Sequence, residues 1–236
     1  MDLNGTIALV TGANRGLGAR LVDGLLARGA GKVYAAARQP DRVLINDRRV
    51  VPLRLDLDDQ SSVDAAVRLA GDLTLLVNNA GILAVGDVLD ADPADIERDL
   101  RTNYLGTLRV TRAFVPVIEA NGGGGVVNVL TLIALAPAGG MAGYSASKAA
   151  AHSMTQSLRA SLRPRGIEVY GAYPGGIDTD MSAGIEAVKA APEDVAKGIL
   201  DGVTAGQTTI FPDQASAQAG EVWRHDPQQL EAMLAG

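Results

Sequence analysis

The run Thr6-Ile7-Ala8-Leu9-Val10-Thr11, followed at once by Gly12-Ala13-Asn14-Arg15-Gly16-Leu17-Gly18, leaves this chain few folds to choose from. The first six residues are short, apolar and β-branched, the pattern of a strand buried on both faces of a parallel sheet. Leu17, Leu21, Val22, Leu25 and Leu26 then recur at helical spacing. Glycines stand at the join, where they permit a tight turn and let backbone amides approach a pyrophosphate that the positive end of the following helix stabilises. A bare glycine motif is weak, but one placed between strand and helix points to nucleotide binding; the structural alternative is an ordinary glycine-rich turn.

The remaining chain repeats the same alternation. Lys32 to Ala37, Val50 to Leu55, Leu73 to Val77, Val126 to Thr131, Gly166 to Tyr173 and Thr208 to Phe211 read as further strands, with helical patterns between them. A long helix is expected from Asp92 or Pro93 through Ile96, Leu100, Leu108 and Val115, kinked near Pro116. Asn103 lies on it, either as a local kink or as a solvent-facing amide. The Gly122 to Gly125 run reads as a flexible connection, and residues 213 to 236 as a polar tail ending in a short helix. With 236 residues and 47% hydrophobic content the chain suits one well-cored α/β domain.

Composition narrows the function classes. No apolar run approaches the roughly 20 residues of a membrane span, and Met1 to Gly5 lacks a signal-peptide pattern, so a cytoplasmic protein is expected. There is no cysteine, and His152 and His225 lie far apart, which argues against a thiolate or histidine metal site. A net charge of -6 argues against nucleic acid or an anionic membrane as partner and leaves a small molecule.

Chemistry concentrates in Tyr144-Ser145-Ala146-Ser147-Lys148. On a helix, Tyr144 and Lys148 share one face, about 6 Å apart along the axis. A tyrosine near its ordinary pKa of about 10 is a poor proton relay at neutral pH. One positive charge about 5 Å away, at an effective dielectric near 20, favours the phenolate by roughly 3 kcal/mol, or about 2 pKa units. The competing reading is an amphipathic helix with a snorkelling lysine. At the end of the second strand, where an acid would meet a ribose 2'-hydroxyl, the chain has Arg38, and Arg15 lies within the glycine loop. Two cations at the adenosine end favour a 2'-phosphate and hence NADP(H) over NAD(H). Asp56, in Asp56-Leu57-Asp58, stands where an adenine amine could be held, while Asp58 or Asp59 could instead cap the next helix.

Five motifs in order resemble the short-chain dehydrogenase/reductase family over residues 4 to 212: Thr11 to Gly18, Asn78-Asn79-Ala80-Gly81, Asn103 within Asn-Tyr-Leu-Gly, Tyr144-x-x-x-Lys148, and Pro174-Gly175 followed by Ile177 and Thr179. The resemblance implies a Rossmann-type doubly wound sheet of about seven parallel strands, helices on both faces, and a single domain in which 213–236 is a C-terminal extension. It implies hydride transfer between a nicotinamide and a carbonyl/alcohol pair. Tyr144 then matches the proton donor/acceptor, Lys148 the residue that lowers its pKa and holds the nicotinamide ribose, and Asn103 the anchor of a relay water. Cofactor contacts fall to Gly12, Asn14, Arg15, Gly16, Leu17 and Gly18, to Arg38, Asp56 and Leu57, to Asn79, Ala80 and Gly81, and to Pro174, Gly175, Ile177 and Thr179, besides Tyr144 and Lys148.

One departure matters. Relatives usually have two serines after the asparagine of the fifth strand, whereas Asn128 is followed here by Val129-Leu130-Thr131. Thr131 keeps a hydroxyl but adds a methyl group and restricts χ1, and it is assigned the substrate-orienting role as a replaced serine. Leu83, Leu132, Ile133, Met141, Tyr173, Met181 and Ile185 are the expected pocket walls, apolar enough for a hydrophobic or aromatic ketone. The reading is therefore an NADPH-dependent carbonyl reductase, with a non-catalytic NADP-binding sensor or scaffold on the same fold as the alternative. The helix through Ile96 and the helix from Tyr144 resemble the pair through which relatives assemble, so a homodimer or homotetramer is expected.

Overall fold

In a computed structural model describing residues 1–235, seven parallel strands form one sheet. They are β1 (Ile7–Thr11), β2 (Lys32–Ala37), β3 (Val50–Arg54), β4 (Leu75–Asn78), β5 (Gly124–Val129), β6 (Ile167–Ala172) and, after two short strands described below, β9 (Thr209–Ile210). Their order is β3-β2-β1-β4-β5-β6-β9. The direction of winding reverses between β1 and β4, so the carboxyl ends of these two strands open a crevice, which is where an α/β sheet binds ligands.

The two-sided burial of each strand explains its composition. In β1, Ala8 and Val10 pack under α1 (Gly16–Ala27) and α6 (Pro192–Thr204) with Leu21, Leu25, Val195 and Ile199. Leu9 faces the other side, with Val63 of α2 (Gln60–Leu69) and Phe114 and Ile118 of α4 (Thr107–Ala120). A side chain of this size contributes about 1.5–3 kcal/mol when fully buried, so both helical layers are held by the sheet rather than by their own propensity.

A polar ladder crosses this core. Asn78 Nδ2 donates to Asn128 Oδ1 and to Thr111 Oγ1, each at 2.9 Å, and Asn128 Nδ2 donates to Thr155 Oγ1 at 2.9 Å. The four residues tie β4 and β5 to α4 and to α5 (Ala142–Leu162) at the level of the site.

Several expectations from sequence are corrected. The predicted long helix is two α-helices, α3 (Pro93–Asp99) and α4, joined by a π-helical segment Leu100–Gly106 that contains Asn103. The glycine run is not a free connection, since Gly124 and Gly125 belong to β5. Gly124 has φ +153°, and a Cβ there would lie 1.9 Å from the Thr74 carbonyl oxygen, so the close passage of this chain beside β4 requires glycine. Gly176–Ile177 and Lys189–Ala190 pair as a small second sheet, β7 and β8, unseen in the sequence because each strand has only two residues. The tail is not a polar strand of chain with one short helix. It forms α7 (Gln214–His225) and α8 (Pro227–Leu234), capped by Asp213 and Asp226, with Ala219 and Leu230 buried against Leu132 and Ala136.

Candidate active site

At the β1–α1 join, Gly12 has φ +68° and Gly16 φ +53°. A Cβ on Gly18 would lie 2.2 Å from the Gly12 carbonyl oxygen and 2.7 Å from Asn79 Nδ2, so the helix can start this close to the strand only with glycine there. The loop is cross-tied to β4: Thr11 Oγ1 accepts from the backbone N–H of Asn79 (3.0 Å) and Ala80 (2.9 Å), and Asn79 Nδ2 donates to the Thr11 carbonyl at 2.9 Å. Arg15 is the N-cap of α1 and provides no side-chain cap, and the first turn contains no acid. The first-turn N–H groups are therefore left for an anion from outside the chain, which fits a pyrophosphate. Asn14 lies half-buried in the same loop, and Leu17 is buried.

Around this loop, Thr179 packs on Gly16, its Cγ2 coming within 3.3 Å of where a Cβ would stand, so the turn after β7 closes onto the glycine loop. Arg15 Nη1 meets Asp180 Oδ2 at 2.7 Å, both side chains exposed. Arg38 at the end of β2 is exposed and pairs with no carboxylate among the described residues. Asp56 Oδ1 accepts from the Asp58 N–H at 3.1 Å, Asp58 accepts from Thr102 Oγ1 at 2.7 Å, and Asp59 is the acid that caps α2. Leu57 is corrected: its side chain is buried in the core and its carbonyl accepts from Arg109, so only its N–H remains to face a nucleotide.

The proton-handling residues come from α5 and the π-helical segment. Tyr144 and Lys148 lie one turn apart on α5, with Lys148 Nζ 5.7 Å from the Tyr144 ring centre and donating to the Val129 carbonyl at 3.0 Å. Asn103 is 2% exposed, which excludes the solvent-facing amide. Its Oδ1 accepts from the Ile82 N–H at 2.8 Å, and its Nδ2 donates to the Ile82 carbonyl and to Ser147 Oγ, each at 2.9 Å. Ser147 donates in turn to the Tyr144 carbonyl at 2.7 Å. A Cβ on Gly81 would sit 3.1 Å from Asn103 Oδ1 and 3.6 Å from Lys148 Nζ, so the Asn79–Gly81 turn lies directly beside both.

The electrostatics reverse the simple two-charge argument. Burial pushes the Tyr144 phenol up, and the Asp99 carboxylate adds in the same direction, so the expected lowering is absent from this chain's own atoms. Burial likewise pushes the Lys148 ammonium down to about 8, opposed by Asp99. Desolvation acts on both groups against their charged forms, and so against the effect of the cation on the phenol. Burial thus favours the neutral phenol at Tyr144, the protonation state from which a proton donor starts.

Residues 6–190 match the short chain dehydrogenase family. The chain belongs to the short-chain dehydrogenase family. It is 34% identical over 200 residues to a 3-alpha-(or 20-beta)-hydroxysteroid dehydrogenase of Mycobacterium bovis, covering 82% of this chain and 75% of that one. A short chain dehydrogenase from Burkholderia cenocepacia, solved in complex with NADP, is 38% identical over 100% of both chains, with a TM-score of 0.94. A 3-ketoacyl-(acyl-carrier-protein) reductase from Brucella melitensis, complexed with NADH, is 27% identical over 88% of this chain and 95% of that one, with a TM-score of 0.81. This short-chain dehydrogenase is accordingly a nicotinamide-dependent oxidoreductase that acts on a small molecule.

In this short-chain dehydrogenase Thr131 follows β5 and opens a 3-10 turn, Leu132–Ala134. Its neighbours fix it: Leu130 N–H donates to the Ala172 carbonyl at 2.7 Å and Leu132 N–H to the Pro174 carbonyl at 3.0 Å. Gly175 is held by Asp213 Oδ2 at 3.0 Å, and Ile177 lies in β7. Two expected pocket walls are corrected. Tyr173 is 1% exposed, its hydroxyl 2.7 Å from His152 Nδ1, so it packs behind α5 rather than into a pocket. Leu132 is 6% exposed and turned towards α7 and α8.

Leu83, Ile133, Met141 and Ile185 are half-buried and Met181 is exposed. Exposed Val85, Val88, Leu89 and Val188 add apolar surface to the loops that carry Leu83 and Ile185. Sequence reading missed these, and also Ser147, Asn78, Asn128 and Asp99. The YxxxK spacing placed Tyr144 and Lys148, but the contacts that tie these four to other elements span 15 to 50 residues and left no local signal. Among the described residues there is no cluster of metal-binding side chains, and no helix is long and apolar enough to cross a membrane.

Proposed function

We propose that this chain is an NADPH-dependent carbonyl reductase that converts a hydrophobic or aromatic ketone or aldehyde to its alcohol. The observation that carries the reading is the geometry of Tyr144 and Lys148, one turn apart on α5 with Lys148 Nζ 5.7 Å from the Tyr144 ring centre, beside Ser147, which Asn103 bonds. The nicotinamide, when bound, supplies hydride to the carbonyl carbon. Tyr144 donates its proton to the carbonyl oxygen, and Thr131 donates a hydrogen bond to the developing alkoxide. Lys148 stabilises the phenolate that remains and holds the nicotinamide ribose. Both Asn103 Nδ2 hydrogens are engaged and Oδ1 takes the Ile82 N–H, so the relay water it serves is assigned to its main-chain carbonyl in the π segment. Gly12 to Gly18 hold the pyrophosphate, Asp56 the adenine, and the Pro174 to Thr179 turn closes the nicotinamide side.

The test is NADPH consumption with a panel of aryl ketones and aldehydes. Turnover above background supports the reading, and NADPH binding without turnover on any member replaces it with a binding protein.

Cofactor choice rests on Arg38, exposed and unpaired at the adenosine end. Arg38→Asp is expected to shift the ratio of kcat/KM for NADPH over NADH towards NADH by roughly 10- to 100-fold, the size of one lost charge-assisted contact. An unchanged ratio would remove Arg38 from the 2'-phosphate site. The Arg15–Asp180 pair is too exposed to hold Arg15 against a phosphate.

Assembly as a homodimer or homotetramer is proposed through the shallow face of α4 and α5, where Leu108, Met154 and Leu158 lie among small and polar side chains. Sedimentation of a monomer at micromolar concentration would rule this out.

A further inference from the structure

The segment from Ile82 to Gly86 is a lip that carries Leu83, one of the expected pocket walls, and it is pinned at three points. Asn103 holds both backbone groups of Ile82. The Gly86 N–H donates to the Gly140 carbonyl at 2.8 Å, and the Ala142 N–H donates to the Gly86 carbonyl at 3.1 Å. Between these, the Ala84 N–H donates to Asp99 Oδ2 at 3.2 Å. Asp99 is 0% exposed, and its other oxygen, Oδ1, is buried with no hydrogen-bond partner among the described residues.

A fully buried carboxyl with one unpartnered oxygen is costly to keep and needs a reason. The geometry supplies one. Asp99 and Asn103 stand four residues apart on the α3/π face, opposite Gly143 and Ser147, which stand four apart on α5. Asn103 bonds Ser147, and Asp99 lies against Gly143, whose Cβ, if it had one, would be 3.3 Å from Oδ2 and 2.9 Å from the Ile96 Cα. The carboxyl thus reaches the bare backbone of the first turn of α5, one residue before Tyr144. That turn has no acid of its own, and its positive end favours a negative charge brought from α3.

We propose that Asp99 is a positioning residue for the reaction: its carboxylate anchors the Ile82–Ala84 lip to the start of α5 and supplies the buried negative charge that faces Tyr144 and Lys148. Burial pushes the Asp99 carboxyl up and Asp95 on its own helix adds to this, while the Ala84 N–H, Arg98 on its own helix and Lys148 on α5 favour the carboxylate; Tyr144 on α5 is the other titratable group around it, and Ile82, Leu83 and Ala84 bring none. Asp99 opposes the effect of burial on Lys148, so it helps that ammonium keep its proton through neutral pH. The inference rests on the reductase reading for its meaning in turnover, but not for its test.

Asp99→Asn keeps the shape and an acceptor for the Ala84 N–H while removing the charge, and Asp99→Ala removes both. The chain has four lysines, Lys32, Lys148, Lys189 and Lys197, so Lys148 can be followed by NMR of 13C-lysine-labelled protein. Its midpoint, near 8 in the parent, is expected to fall by roughly one pH unit in Asp99→Asn, the alkaline limb of reductive kcat/KM moving with it. Amide exchange at Ala84 should stay parental in Asp99→Asn and speed up at least roughly tenfold in Asp99→Ala. A parental Lys148 midpoint in Asp99→Asn overturns the charge role, and parental Ala84 protection in Asp99→Ala overturns the anchor. If the parent reduces no carbonyl, the reductase reading fails on its own, while the lysine titration and amide exchange still decide the role of Asp99. Should Asp99→Ala fail to fold, the Asp99→Asn titration decides alone.

Discussion

Tyr144→Phe is expected to lower kcat/KM for carbonyl reduction by about 10³-fold or more while leaving NADPH affinity within about twofold of the parent. The phenyl ring fills the same half-buried space on α5, and Lys148 keeps its bond to the Val129 carbonyl, so the cofactor side is unchanged. What disappears is the phenolic hydroxyl on the ring that lies 5.7 Å from Lys148 Nζ. Turnover is read by NADPH oxidation and binding by fluorescence titration of the same variant. Turnover close to the parent would assign the proton to another group and end the mechanism proposed above.

The second large effect belongs to Thr131. Thr131→Ala should reduce kcat/KM by roughly 10- to 1000-fold, up to the ~4 kcal/mol that losing one donor to a developing oxyanion amounts to. Its hydroxyl makes no hydrogen bond to any described residue, so no internal partner competes with a substrate oxygen for it. Thr131→Ser separates donor from methyl: serine keeps the hydroxyl, gains rotamer freedom and opens the pocket, and activity should survive or rise, most for bulky ketones. An alanine variant equal to the parent on every substrate would make Thr131 a β-branched packing residue and leave the alkoxide to Tyr144 alone.

The parts legible in the sequence were those with a period or a local constraint. Buried strands announced themselves as apolar runs because both faces of β1, β2, β4, β5 and β6 meet helices. The glycine loop and the Tyr144–Lys148 spacing were legible for the same reason, each being fixed within a turn or two of chain. Side-chain direction at strand ends was not. Tyr173 follows β6 by one residue, and whether it faced a pocket or α5 depended on His152, 21 residues earlier. The tail looked polar because its buried residues are few and mostly small, yet Ala219 and Leu230 suffice once Leu132 and Ala136 complete the cluster. Asp99 was invisible for a deeper reason: an aspartate in a helix reads as surface charge until the partner helix is in place.

The π-helical stretch Leu100–Gly106 has a consequence for how this chain can vary in length. An α-helix advances about 100° per residue, so losing one residue there would swing everything from Thr107 onward by about that angle. Val110, Phe114 and Ile118 would leave the sheet together, and Thr111 would leave Asn78. The same residue count that aims Asn103 at Ile82 also phases α4 onto the core. Loops elsewhere on the surface can gain or shed residues, but this stretch is a ratchet tooth: shortening it disengages the site and the core at once, so the two can drift in composition but not in reading frame.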